Sequence, residues 1–377
     1  MNDNKRITGL MAAEAKEGRK TAVATVIQVK GSAYRREGAK MLIGEQGILA
    51  GMISGGCLEP DVEETAKAVM ETGKPELKTY HMDEELVWGL GLGCPGTVDI
   101  YIEPFSAEND EAAFGSWSDS VQKEIPAVLC TIIKGSPQEN ISAGDRFCIK
   151  REGLYGKCLN TELAEKATEL ALKKLGEQNP KSGTTVLSIG ENKIEVFLDV
   201  YVPPPGLLIF GAGHDAIPLA KRSTEFGFKT TLVDPRPGYN TKELFPGSDC
   251  ILLDPAKVEK DDLIITERTY VVIMNHHLER DVKSLALALN SSAPYVGVLG
   301  PRSRLERLLD RLEEEGLNFT EDQLDEKLFG PVGLDIGADS ADEIALSIMA
   351  EVLAVKNGHA GGFLRERQAI HQPVNIK

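Results

Sequence analysis

The sequence has no pair of cysteines spaced C-x-x-C, although six cysteines occur in its 377 residues. A zinc knuckle or a thioredoxin-type redox pair is therefore disfavoured. No apolar run approaches membrane-spanning length, and the start, MNDNKRITGLMAAEAKEGRK, lacks the apolar core of a signal peptide. These absences predict a cytoplasmic protein with reduced thiols and no membrane partner. Positive charge is also scarce: 42 basic against 58 acidic residues leave a net charge of −16. Binding a phosphate backbone needs a basic patch, so nucleic acid is excluded as a partner at this level. No internal repeat and no low-complexity tract is visible.

What remains is an ordinary soluble composition, 42% hydrophobic and 27% charged, at a length that predicts two domains. The clearest stretch is 206–236, GLLIFGAGHDAIPLAKRSTEFGFKTTLVDPR. A short apolar run leads into Gly211-Ala212-Gly213-His214-Asp215-Ala216, which fits the dinucleotide fingerprint G-x-G-x-x-G/A. Gly211 permits a tight strand-to-helix turn, Gly213 lets a phosphate approach the backbone, and Ala216 lets helix and strand pack closely. The following helix offers free N–H groups to that phosphate. Asp234 ends the next strand, about 20 residues on, where a carboxylate would meet a ribose hydroxyl.

Pro203-Pro204-Pro205-Gly206 is the boundary, because three prolines cannot join a strand ladder and they stiffen a linker. It divides the chain into an α+β domain (1–202), a linker (203–206), a Rossmann-like parallel-sheet domain (207–360) and a tail (361–377). Strands are expected at 207–210, 229–233, 250–253, 270–274 and 295–299, with helices at 216–226, 279–289 and 302–315. Ser340-Ala341-Asp342-Glu343 is a capping box that opens a final helix. The fold class is α/β.

Four cysteines, at 130, 148, 158 and 250, lie in apolar or hairpin-like segments and read as small core residues. Cys57 differs. It follows Gly55 and Gly56 and precedes a helix with Pro60 in its first turn, so it sits in a helix N-terminal field that favours the thiolate. A buried cysteine at an ordinary helix start is the equal alternative. Cys94 lies among Gly89, Gly91, Gly93 and Gly96, a loop that is either a plain turn or a thiol held against bare backbone. The two thiols could meet at one pocket, and a disulfide between them is a further option. Arg35 and Arg36 are candidates for anion recognition, with plain surface charge as the alternative. His276 and His277 fall at the carboxyl end of a strand, beside the crevice of such a sheet, with His214 in the fingerprint loop and Arg302 and Arg304 on the rim.

Taken together, GSAYRREGAKMLI, GMISGGCLE, GLGCPGTVDIYIEP, LLIFGAGHDAIPLA, LVDPRPGYN, MNHHLERD, YVGVLGPRSR and PVGLDIGADSADEIALSIMAEVLA resemble, in that order, the xanthine dehydrogenase accessory (XdhC/CoxI) family over about 20–360. The resemblance implies a homodimeric accessory protein rather than a turnover enzyme. Such a protein would bind molybdenum cofactor, as molybdopterin or its cytosine dinucleotide form. It would support sulfuration and insertion of that cofactor into a xanthine dehydrogenase-type hydroxylase, with a cysteine desulfurase as a second partner. It also implies Cys57 and Cys94 as working thiols. Gly55, Gly56, Arg35, Arg36, Gly211, Gly213, His214, Asp234, Arg236 and His276 become the cofactor contacts. Here the second cysteine loop reads Cys94-Pro95-Gly96 where the family has Cys-Gly-Gly, so one N–H donor is lost. Two rivals stay open: an NAD(P)-dependent oxidoreductase, and a thiol- or nucleotide-sensing module.

Overall fold

The computed structural model describes residues 3–31, 33–82, 96–105, 107–177, 179–259 and 262–366. The chain divides into two compact units, Met1–Pro203 and Pro204–Lys377.

The first unit opens with helix α1 (Asp3–Lys16), strands β1 (Thr21–Gly31), β2 (Lys40–Gly44) and β3 (Gly47–Gly51), helix α2 (Glu59–Thr72), and strands β4 (Glu76–Met82) and β5 (Gly96–Phe105). The same succession then returns: α3 (Ala107–Lys123), β6 (Ala127–Lys134), β7 (Arg146–Lys150), β8 (Gly153–Gly156), α4 (Thr161–Leu175), β9 (Gly183–Ile189) and β10 (Asn192–Tyr201). Each set makes a five-stranded antiparallel sheet, in the orders β3-β2-β1-β5-β4 and β8-β7-β6-β10-β9. These orders correspond strand for strand. The first unit is therefore an internal repeat, contrary to the expectation from sequence.

The correspondence extends to single bonds. Gly38 donates its N–H to the Val26 carbonyl at 2.8 Å, and Gly144 donates to the Ile132 carbonyl at 2.8 Å. Their φ angles are 90° and 91°, in the left-handed region that favours glycine. Lys40 opens β2 and pairs with Asp199 of β10 at 2.6 Å; Arg146 opens β7 and pairs with Glu103 of β5 at 2.6 Å. Contact of i with j′ and of i′ with j marks an isologous, two-fold arrangement. Ile27, Ile133, Tyr101 and Phe197, again matched in pairs along their strands, pack together between the sheets. Strand β1 (TAVATVIQVKG) shows why both faces are apolar. Ala22, Ala24 and Val26 meet Val62, Ala66 and Val69 of α2, while Val23 packs with Ile7 and Met11 of α1 and Ile27 joins the inter-sheet cluster.

The second unit contains β11 (Gly206–Phe210), α5 (Ala216–Glu225), β12 (Lys229–Val233), β13 (Asp249–Ile251), β14 (Thr269–Ile273), α6 (Leu278–Leu289), β15 (Tyr295–Val298), α7 (Arg302–Glu314), α8 (Glu321–Lys327), β16 (Leu328–Phe329) and α9 (Ala341–Lys356). All six strands are parallel, in the order β13-β12-β11-β14-β15-β16. That is the 3-2-1-4-5-6 order of a dinucleotide-binding sheet, whose switch point lies between β11 and β14. Leu207 and Ile209 face α5 and α9, whereas Leu208 and Phe210 face α6 and α7. The sequence pattern missed α8 and β16. A signal for α8 was present in the Thr320 to Gln323 capping box, but a two-residue strand has no periodicity to read.

The Lys40–Asp199 pair is buried, with side chains 7% and 4% exposed. Lys40→Met alone is expected to lower stability by about 3–5 kcal/mol, because Asp199 is left charged and enclosed. The double variant Lys40→Met/Asp199→Leu is expected to recover most of that loss. Urea unfolding midpoints of the three proteins measure both effects, and a double variant no more stable than the single one would contradict the account.

Candidate functional site

Cys57 is exposed at the end of the loop that joins β3 to α2. The loop is held from within by Glu59. One carboxylate oxygen of Glu59 accepts the Ser54 N–H at 2.7 Å and the Ile53 N–H at 3.3 Å. The other accepts the Ser54 hydroxyl and the Gly56 N–H. The Ser54 Oγ in turn accepts the Leu58 N–H at 3.1 Å and lies 3.5 Å from the Cys57 Sγ. Gly56 has φ +107°, a conformation few side chains tolerate. Burial pushes the Glu59 carboxyl up, but the hydroxyl and N–H donors outweigh it and hold the group below its ordinary value. The thiol is thus exposed on a loop that the Glu59 carboxylate and the Ser54 hydroxyl hold from within.

The repeat supplies a comparison within the same chain. Cys158-Leu159-Asn160 precedes the second helix as Cys57-Leu58-Glu59 precedes the first, but the loops differ: Gly51 and Gly156 hold matching places opposite Met41 and Phe147, and seven residues lead from β3 to α2 against four from β8 to α4. In the second copy Asn160 caps α4 by accepting the Leu163 N–H, so no side chain folds back onto the loop. Cys158 is half-buried in a cavity of about 490 Å³, donates to the Asn160 carbonyl, and has its thiol pushed up by burial. One copy keeps a structural cysteine; the other exposes it.

Strand pairing brings the neighbouring loops of the first sheet to one end. Thr25 pairs with Lys40, Met41 with Gly51, and Gly96 with both Gly31 and Met82. The turn after β1 therefore leaves beside the Cys57 loop, and the ring of exposed Tyr34 lies over Gly55. Arg35, on that turn, donates to Asp3 at 2.9 Å, while Arg36 is exposed. Cys94 and its glycine-rich loop lie outside the described residues.

In the second unit the fingerprint loop behaves as the spacing predicted. Gly211 has φ +111°, and a Cβ there would stand 2.4 Å from the Met274 carbonyl, so β11 and β14 close on bare backbone. Ala216 is fully buried against the sheet. Asp234 departs from its expected role. Its carboxylate is 2% exposed and accepts from Ala212 N–H, Arg236 N–H, Arg236 Nε and Arg236 Nη2. Burial pushes this carboxyl up, yet Arg236 and the backbone donors more than offset it, so it stays below its usual range. No lone pair is left for a ribose.

His276 stands on the crevice rim with φ +55°, and its Nε2 lies 2.7 Å from Asp215 Oδ2. Asp281, 1% exposed, fixes the preceding residue by accepting from Asn275 N–H and Nδ2, and is itself paired with Arg304. Arg304 thus supports the rim from below, while Arg302 and His277 are exposed. His214 is exposed, with its ring 5.8 Å from that of Tyr239. Sequence reasoning missed Glu59, Asp215, Tyr239, Asn275 and Asp281. Only Glu59 and Asp215 carried a signal, as acids placed directly at helix starts beside the glycine loops. Among the described residues no helix is long and apolar enough to cross a membrane.

Residues 207–352 match the XdhC Rossmann domain family, and residues 14–81 match the XdhC and CoxI family. The chain is 27% identical to a probable xanthine dehydrogenase subunit from Bacillus subtilis (strain 168), over 89% of this chain and 92% of that protein. It is 24% identical to the molybdenum cofactor insertion chaperone PaoD of Escherichia coli (strain K12), over 94% of this chain and 90% of that one. A crystal structure described as a xanthine dehydrogenase from Bacillus halodurans superposes with a TM-score of 0.70 at 28% identity, covering 98% of each chain.

The lowered Glu59 carboxyl fixes the sign of a pH effect. Its contribution is fully present above the ordinary value of 4.5 and is lost as pH falls through the lower, folded-state value. Glu59→Gln is therefore expected to destabilise by about 1–3 kcal/mol at neutral pH. Thermal unfolding of both proteins from pH 7 downwards should show the gap closing below the ordinary carboxylate value. Parallel curves over the whole range would remove the role assigned to the carboxylate.

Proposed function

Because the chain belongs to the XdhC and CoxI family, we propose that it is an accessory protein for a xanthine dehydrogenase-type molybdenum hydroxylase. Its cargo is molybdenum cofactor, as molybdopterin or its cytosine dinucleotide form, and it supports sulfuration and insertion of that cofactor. The likeness to a molybdenum cofactor insertion chaperone over nearly the whole chain supports this reading. One observation carries it furthest: Cys57 is exposed on a loop that the buried Glu59 carboxylate holds from within, so its thiol is open to a ligand.

The donor set suits such a cargo. Thiolates prefer soft metal centres, and Gly55 and Gly56 leave the backbone beside Cys57 open to a bulky ligand. Arg35 and Arg36 stand ready for anionic groups of the cargo, and Cys94 is the proposed second thiol. In the Rossmann unit, Gly211, Gly213, His214, Arg236 and His276 are the proposed contacts for its phosphate end. Asp234 acts through Arg236, as a positioning residue. When bound, the cargo supplies the molybdenum centre; the chain's own part is to hold, orient and shield it. A homodimer, a cytoplasmic location and delivery of sulfur by a cysteine desulfurase complete the proposal. The oxidoreductase reading has the closed Asp234 carboxylate against its NAD form, though not against its NADP form.

Cys57→Ala is expected to lower the sulfurated cofactor content of a co-expressed hydroxylase by about tenfold or more, the scale on which changes around a metal act. Cofactor retained by the purified variant, measured by its pterin fluorescence after oxidation, gives an independent readout. A variant equal to wild type in both would end the central role of the thiol.

A further inference from the structure

We infer that Arg236, stacked on Tyr239, forms a phosphate-reading subsite at the end of β12. It takes a phosphomonoester at the place where a ribose-reading carboxylate would take a diol. This deepens the proposed function, on which it rests for the presence of an anionic ligand in the crevice.

Asp234 has no acceptor capacity left for a ligand. A carboxylate offers about four lone-pair sites, and here Oδ1 accepts from Arg236 N–H and Nε while Oδ2 accepts from Ala212 N–H and Arg236 Nη2. Two ribose hydroxyls would find no acceptor there. The acid has become the internal counter-ion of a guanidinium.

Arg236 uses only one edge for this pairing. The guanidinium is a rigid planar fork, so with Nε and one Nη2 hydrogen on Asp234 the other edge points away, carrying Nη1 and the second Nη2 hydrogen. No described residue accepts from Nη1, and the side chain is 42% exposed. That edge matches two oxygens of a phosphate.

The fork is also held still. Its carbon lies 4.2 Å from the centre of the Tyr239 ring, which covers one face. Tyr239 and Asn240 both donate their N–H groups to the Arg236 carbonyl, and the Asn240 side-chain amide donates to the Ile251 carbonyl at 2.9 Å. The turn is thereby pinned to the β13 end of the sheet. A donor fixed before the ligand arrives loses little entropy on binding. The nearest crevice acid, Asp215, is engaged by His276 and so does not compete freely for the fork.

Isothermal titration with two matched pairs tests this: NADP⁺ against NAD⁺, and cytidine monophosphate against cytidine. The members of each pair differ by one phosphate. The phosphorylated member is expected to bind about tenfold or more tightly, the value of a charge-assisted pair. Arg236→Gln should abolish the preference. Arg236→Lys keeps a charge against Asp234, and so the fold, but should lose most of the preference because lysine lacks the fork. Absence of a preference in wild type, whether both members bind equally or neither binds, overturns the subsite. So does a full preference in either variant. Retention of molybdopterin by wild type without phosphate preference would remove the subsite and leave the accessory role; preference without retention would do the reverse.

Discussion

A buried carboxylate that accepts several N–H groups at once is what gives three loops at the candidate sites of this protein their shape. Glu59 gathers the Cys57 loop, Asp234 gathers the fingerprint loop and Arg236, and Asp281 gathers Asn275 ahead of His276. The reason is physical. The first two of these loops are rich in glycine and the third is built of polar residues, so apolar burial cannot fix them. A charge taken out of water is costly unless it is paired, and that cost makes the paired arrangement narrow. The loops are thus held in place without bulky side chains.

The first unit shows how such a loop can arise beside one that stayed structural. Two copies of one topology face each other through reciprocal ion pairs, Lys40 with Asp199 and Arg146 with Glu103. Within this frame the Cys158 copy ends in Asn160, an ordinary helix cap, and its thiol is half-buried. In the other copy the acid at 59 turns back on the loop, and the thiol faces solvent. The two loops also differ in length, with seven residues between β3 and α2 against four between β8 and α4.

The second unit carries the strand order and glycine geometry of a dinucleotide-binding sheet, yet its acid at the end of the second strand is sealed. Fold and chemistry therefore part company here. The crevice presents a guanidinium, two histidines and a helix start, a set suited to an anion. At the end of β12, where a ribose would be read, the Asp234 carboxylate is taken up by Arg236 and Ala212.

By itself the sequence determined most of the second unit's secondary structure and the location of its loops. A short continuous apolar run such as Leu207 to Phe210, followed by Gly211, Gly213 and Ala216 at their spacing, reads as a buried strand entering a close strand-to-helix turn. Cys57 stood out because glycines before it and a proline after it are local signals. The tertiary structure alone decided three things. The repeat was invisible because its pairing residues differ in kind, lysine with aspartate in one place and arginine with glutamate in the other, and only their positions in the sheets match. Whether Asp234 faced a ligand or Arg236 depended on side-chain direction, which spacing does not encode. The contrast between Cys57 and Cys158 likewise depended on where one carboxylate found its donors. Local pattern fixes where the backbone goes, but hydrogen-bond partners far apart in the chain are chosen only when packing brings them within reach.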